Sequence, residues 1–164
     1  FKWVKNFTDW EVPQGYAPFG IQTINGMLYV TFAMQDETKH DDVAGPGHGF
    51  VTVFDLSGNK VKRLISRGAL NSPWGLALAP SNFGRFSGSL LVGNFGDGTV
   101  NAFNSANGAA RGHMLWPTGS TLTIPGLWGL AFGSGGPSGP TNTLLFTAGP
   151  DHESHGLFGT ITVH

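Results

Sequence analysis

The chain has 164 residues, of which 12 % are charged and 40 % hydrophobic, and its formal net charge is −1. That length gives room for one domain with a real core, and the balance of charge leaves no basic stripe, so no nucleic-acid partner is expected. With no cysteine, thiol catalysis, disulfides and thiolate metal sites drop out together, and no apolar run is long enough for a membrane-spanning helix.

In chain order, the first residues, Phe1 to Lys5, carry no apolar core of the signal-peptide type. Asn6-Phe7-Thr8 matches a glycosylation sequon by pattern. Trp3-Val4-Lys5-Asn6-Phe7 reads as an outermost strand, so residues 1–15 are expected to complete a preceding or partner unit. Residues 16–70 then hold four predicted strands, over 19–24, 27–33, 49–55 and 60–66, with turns at Asn25-Gly26 and Ser57-Gly58-Asn59. Residues 71–124 copy that order, with strands over 74–79, 90–93, 99–104 and 110–116. Here 99–104 alternates with period two, and Asn107-Gly108 marks a tight turn. Residues 125–164 supply strands over 127–133, 144–148 and 157–163 and stop without a fourth. No segment shows a sustained helical period.

Three stretches repeat: Ala17-Pro18-Phe19-Gly20-Ile21, Ser72-Pro73-Trp74-Gly75-Leu76 and Gly126-Leu127-Trp128-Gly129-Leu130. The glycines stand 55 and 54 residues apart. A nearly constant period of that size marks stacked, similar units. Four short antiparallel strands per unit, repeated, predict an all-β fold of the β-propeller type. A β-sandwich is the structural rival, but it leaves the recurring motif unexplained. The expectation is three blades' worth of sheet, half of a six-bladed ring, with the last blade lacking its outer strand. Propellers run from four to eight blades, which leaves two arrangements open. Two copies could close a ring as a homodimer, each N-terminal strand completing the partner's last blade, or a longer propeller holds the missing half.

The repeat motifs, with Lys39-His40-Asp41-Asp42-Val43-Ala44-Gly45-Pro46-Gly47, Gly93-Asn94-Phe95-Gly96-Asp97-Gly98, Phe146-Thr147-Ala148-Gly149-Pro150 and His155-Gly156-Leu157-Phe158-Gly159, resemble a family of uncharacterised secreted bacterial β-propeller proteins similar to NHL-repeat propellers. The resemblance covers essentially the whole chain. It implies a six-bladed propeller, an extracytoplasmic setting and a full length about twice that of this chain. It implies no activity.

Chemistry is concentrated in the loops between second and third strands. Seven of the ten acidic residues fall there: Asp36, Glu37, Asp41, Asp42, Asp97, Asp151 and Glu153. The candidate metal ligands are His40, Asp41, Asp42 and His48 in the first loop, and Asp151, His152, Glu153 and His155 in the third. Carboxylate and carbonyl oxygens suit Ca²⁺, whereas imidazole with carboxylate suits Zn²⁺ or Cu²⁺. Solvated, turn-capping loops are the plainer reading of the same residues, and Asp97 between two glycines reads as a turn former. His48 and His155 each stand just ahead of a third strand and are the candidate proton-transfer groups. Phe19, Trp74 and Trp128 are expected to pack between neighbouring units. Trp3, Trp10 and Trp116 could help a subunit or a polysaccharide dock.

Three functions fit these residues. The leading one is an extracytoplasmic binding module for a small-molecule or polysaccharide ligand, with or without a metal at the loop face. The second is a metal-assisted hydrolase or lyase with a central His/Asp/Glu site. The third is a structural, self-assembling subunit.

Overall fold

The computed structural model describes residue 2 and residues 6–163. These build three antiparallel sheets and almost no helix. The first sheet contains β1 (Tyr16–Ile24), β2 (Met27–Met34), β3 (Gly49–Phe54) and β4 (Lys60–Ser66) in sequential order. The second contains β5 (Pro73–Leu78), β6 (Ser89–Asn94), β7 (Val100–Asn104) and β8 (Ala110–His113). The third contains only β9 (Leu127–Phe132), β10 (Leu144–Ala148) and β11 (Leu157–Ile161), with β11 at its edge.

Turn chemistry sets the hairpins. Asn25 and Gly26 both adopt positive φ, 49° and 74°, the geometry that a two-residue turn needs to follow the twist of its strands. At the β7–β8 turn, the Gly108 N–H donates to the Asn104 carbonyl over 2.8 Å. The three sheets form an open row, joined through their first strands: β1 lies against β5, and β5 against β9.

The two junctions within the row are the core. Val51, Val53, Leu64, Leu76, Leu90 and Val92 are buried together where the first sheet meets the second. Leu91, Val100, Leu122, Leu127, Leu130 and Leu144 do the same where the second meets the third. Burial of such side chains contributes about 1.5–3 kcal/mol each. A third, smaller cluster of Val30, Phe32, Phe50 and Phe54 lies on the first sheet.

The repeated glycine is explained by these junctions. Each first strand carries a register shift at the motif, between Pro18 and Ile21 in β1 and between Pro73 and Leu76 in β5. At that bulge, a β-carbon on Gly75 would stand 2.6 Å from the Trp128 carbonyl oxygen, and one on Gly20 would clash with the Trp74 carbonyl oxygen. Only a residue without a side chain lets consecutive first strands approach so closely. In the first sheet a hydroxyl serves the bulge: the Gly20 N–H donates to Thr31 Oγ1 over 2.7 Å. Thr147 serves Gly129 in the same way over 3.2 Å.

Of the segment expected as an outer strand, Trp3 to Lys5 lie outside the described residues, and residues 6–15 form no strand. Instead they cover part of their own first sheet. The Phe7 ring stands edge-on to Phe54, 5.8 Å between centroids. The Asp9 carboxylate is buried against Arg63, Lys60 and the Thr52 hydroxyl. Burial pushes the Asp9 carboxyl up, but the hydrogen bonds from Arg63, Thr52, the Glu11 N–H and Lys60 outweigh it and hold the group at about 2.

Candidate functional site

Loops from all three sheets meet a row of aromatic rings carried by the motif positions. Phe19 and Trp74 lie 4.6 Å apart between ring centroids, and Trp74 and Trp128 lie 6.4 Å apart, each pair tilted by nearly 50°. Phe95 stands against both Phe19 and Trp74. These rings pack between neighbouring units, yet all four remain half-buried, not sealed.

Around the row, Asn71 and Asn94 tie the first two sheets together. Asn94 is fully buried. Its side-chain oxygen accepts the Asn71 N–H, and its amide donates to the Ala69 carbonyl and to Thr99 Oγ1. Asn71 in turn accepts the Gly45 N–H over 2.7 Å and donates to Asp97 over 3.1 Å. A β-carbon on Gly98 would clash with the Ile124 carbonyl, and Asp97 accepts from the Thr99 N–H and hydroxyl, so Asp97 caps its own turn.

Next to Asn71, Ser72 is completely buried at a φ of +47°, a conformation unfavourable for a residue with a side chain. Its backbone is well bonded, donating to the His48 carbonyl and accepting the Phe95 N–H. Its Oγ makes no well-aligned hydrogen bond among the described residues and interacts loosely with the Asp42 carboxyl. The half-buried Asp42 carboxyl lies toward this hydroxyl. Burial pushes Asp42 above its ordinary value, the Ser72 hydroxyl opposes that, and the negative charges of Asp41 and Glu153 add to it. The first and third loops therefore act on one carboxyl. Asp42 also shares a small cavity of about 170 Å³ with Phe19 and His40.

Glu153 belongs to a turn, Pro150–Glu153, in which Asp151, His152 and Glu153 all have positive φ, from 54° to 61°. Left-handed backbone costs roughly 1–2 kcal/mol per residue with a side chain. The turn is fastened at its end, where Trp128 Nε1–H donates to Glu153 Oε1 over 2.9 Å.

The other expected site residues serve local structure or face solvent. The His40 N–H and the Thr38 hydroxyl both donate to Asp36, which holds that carboxyl below its usual range, the Thr38 contact first. Asp41 accepts the Asp42 N–H over 3.3 Å. His48 places Nδ1 2.8 Å from the Val43 carbonyl, and a β-carbon on Gly45 would meet its ring at 2.6 Å. His152 and His155 are exposed, and His155 Nε2 reaches only to 4.0 Å from Asp151. His48 and His155, alike in sequence position, thus have different surroundings. Among the described residues, no three His, Asp or Glu side chains are grouped so that they could hold a metal ion.

The features that sequence reading missed are Asn71, Ser72 and Asn94. The signal was the Asn71-Ser72 pair ahead of a repeat motif, but their partners stand 23 to 26 residues away. A larger cavity, about 860 Å³, lies apart from Asp42 and Glu153, between Phe86, Met114, Ile124, Phe146 and Ile161 beside the edge strand β11.

The chain is similar to three uncharacterised proteins of Acanthamoeba polyphaga mimivirus. It is 40 % identical to one over 163 residues, 98 % of this chain and 39 % of that protein. It is 39 % identical to a second over 155 residues, again 39 % of that protein, and 34 % identical to a third over 151 residues, 27 % of its length. The chain therefore spans about two fifths or less of the relatives it matches. No family model matches the chain, and no solved structure matches it. These findings overturn the resemblance to secreted bacterial propeller proteins: the similar proteins are viral. No helix among the described residues is long and apolar enough to cross a membrane.

Proposed function

We propose that the three sheets are blades of a β-propeller arc that serves as a binding module, taking a saccharide at the face where the loops meet. One observation carries the reading: half-buried Phe19, Trp74 and Trp128 form a row beside carboxyl groups of Asp42 and Glu153, which come from different sheets. Aromatic faces stack on the apolar faces of sugar rings, and carboxylates accept hydrogen bonds from hydroxyls. Such a site is mostly apolar with a few convergent polar groups. The sequential strand order within each sheet and the packing of first strand on first strand support the propeller.

Tryptophan fluorescence during titration with a panel of soluble oligosaccharides tests the reading. At least one sugar is expected to shift the emission, and Glu153→Gln and Asp42→Asn each to weaken that response about tenfold, the loss of one charge-assisted hydrogen bond. A panel that leaves the emission unchanged contradicts it. If Ca²⁺, Zn²⁺ or Cu²⁺ alone raises the melting temperature, the metal-dependent alternative takes its place.

A further inference from the structure

At the face where the loops meet, carboxylates stand without cations. Among the described residues the ion pairs engage Asp9, Glu11 and Asp151, whereas Asp41, Asp42 and Glu153 take part in none. Asp42 is the centre of this group. It is half-buried, and the negative charges of Asp41 beside it and of Glu153 from the third loop both act on it. The Trp128 indole N–H donates to Glu153 and fixes that carboxylate without cancelling its charge.

Asp42 is also held in position. A bridge to Gln35 closes the first loop at its base, and the Val43 N–H donates to the Met34 carbonyl over 2.8 Å. The Ser72 hydroxyl, sealed from solvent and without a well-aligned hydrogen bond, lies toward the same carboxyl. Asp42 in turn lines the cavity of about 170 Å³ with Phe19, Gln35, His40 and Asp41, and the Phe19 ring stands against Trp74 and Phe95. A carboxylate placed in advance favours a ligand that pairs with it, because less side-chain freedom is lost on binding.

Uncompensated carboxylates beside half-buried rings select the chemistry of what fits. Among the described residues no three carboxylate or imidazole groups are placed to hold a metal ion. An organic ammonium meets both features. It brings three donors and no acceptor, makes charge-assisted hydrogen bonds to carboxylates, and is attracted to an aromatic face within about 6 Å of the ring. A neutral sugar uses the rings and the acceptors but not the charge, and a sugar acid is repelled by it. We propose that the saccharide is an amino sugar, its protonated amine seated at Asp42 beside Phe19. The assignment rests on the saccharide-binding reading above and narrows it to one chemical class.

Calorimetric titration with a glucosamine oligomer bearing free amines, and with its N-acetylated counterpart of equal length, tests the proposal. At low ionic strength the free-amine oligomer is expected to bind about tenfold more tightly, the effect of one hydrogen bond between charged groups. The preference is expected to shrink as salt is raised. It is expected to vanish in Asp42→Asn, which keeps the shape of the side chain and removes its charge. Should that variant fail to fold, the salt dependence of the parent decides. Equal affinity of the two oligomers, or a preference for the acetylated one, overturns the proposal while the saccharide reading stands. A preference that salt leaves unchanged, or that persists in folded Asp42→Asn, overturns it as well. The saccharide reading fails on a separate readout: neither oligomer and no neutral sugar would bind, or a simple alkylammonium would bind as tightly as the free-amine oligomer.

Discussion

Leu76 and Ile21 follow the same glycine in consecutive units, and one is sealed while the other faces solvent. The difference does not lie in the residues, which are both large aliphatics at the end of a bulge. It lies in what precedes them. Leu76 has the first sheet behind it, with Val51, Val53 and Leu90 in the same cluster, whereas among the described residues Ile21 has the segment 6–15, which covers the outer part of its sheet and leaves Ile21 exposed. A repeat unit of this kind is therefore built with two faces to be covered, and only the middle unit has both covered.

The strongest way to break the covered half of the first sheet is at Asp9. Removing its carboxylate leaves Arg63 partly buried without its ion partner, so Asp9→Ala is expected to destabilise the fold by about 3 kcal/mol in urea denaturation. The pH dependence has a definite sign. The folded carboxyl sits at about 2, below the roughly 3.9 of an unfolded chain. Its contribution is thus complete above pH 4 and is lost as pH falls through about 2. A parent and an Asp9→Ala variant that lose stability equally between pH 4 and pH 2 would contradict this.

Truncation sharpens the contrast between the paired aliphatics. Leu76→Ala is expected to cost about 3 kcal/mol, because a filled junction is emptied. Ile21→Ala, at an exposed position, is expected to stay within about 0.5 kcal/mol. Equal costs would mean that Ile21 is covered by something within the chain. The smallest effect belongs to the third loop. Trp128→Phe removes the hydrogen bond to Glu153 and is expected to cost about 1 kcal/mol. Its clearer readout is faster amide exchange over residues 150–156, where the strained turn loses its fastening. Unchanged exchange there would count against the role of that bond.

Much of this fold was legible in the sequence because its signals are local. The strands fall within a few residues of the expected ranges, since Asn25-Gly26 and Asn107-Gly108 fix their hairpins, but the period-two segment 99–104, read as half-buried, is a strand buried on both faces between its neighbours. The motif glycine announced the repeat at constant spacing, although its reason, a neighbouring carbonyl, became visible only in three dimensions. Asp9 was not legible: its partners Thr52, Lys60 and Arg63 lie 43 to 54 residues away. The loop carboxylates were legible as a cluster but not as a site. Asp36 and Asp97 are engaged in their own turns, and the first and third loops act together on Asp42 alone. Ser72, buried with its hydroxyl only loosely engaged by Asp42, gave no signal beyond its place ahead of Pro73.

The central claim is that each unit is built to dock on the next through a glycine under a carbonyl, and that among the described residues no carbonyl covers the last such glycine. Denaturation of Gly75→Val and Gly129→Val, compared under the same conditions, tests it most directly. The account predicts a loss of about 3 kcal/mol or more for Gly75→Val, whose β-carbon would meet Trp128 and Leu130 within 3 Å. It predicts a change of less than about 1 kcal/mol for Gly129→Val, which meets only the Thr147 hydroxyl. Equal losses at the two positions would contradict it.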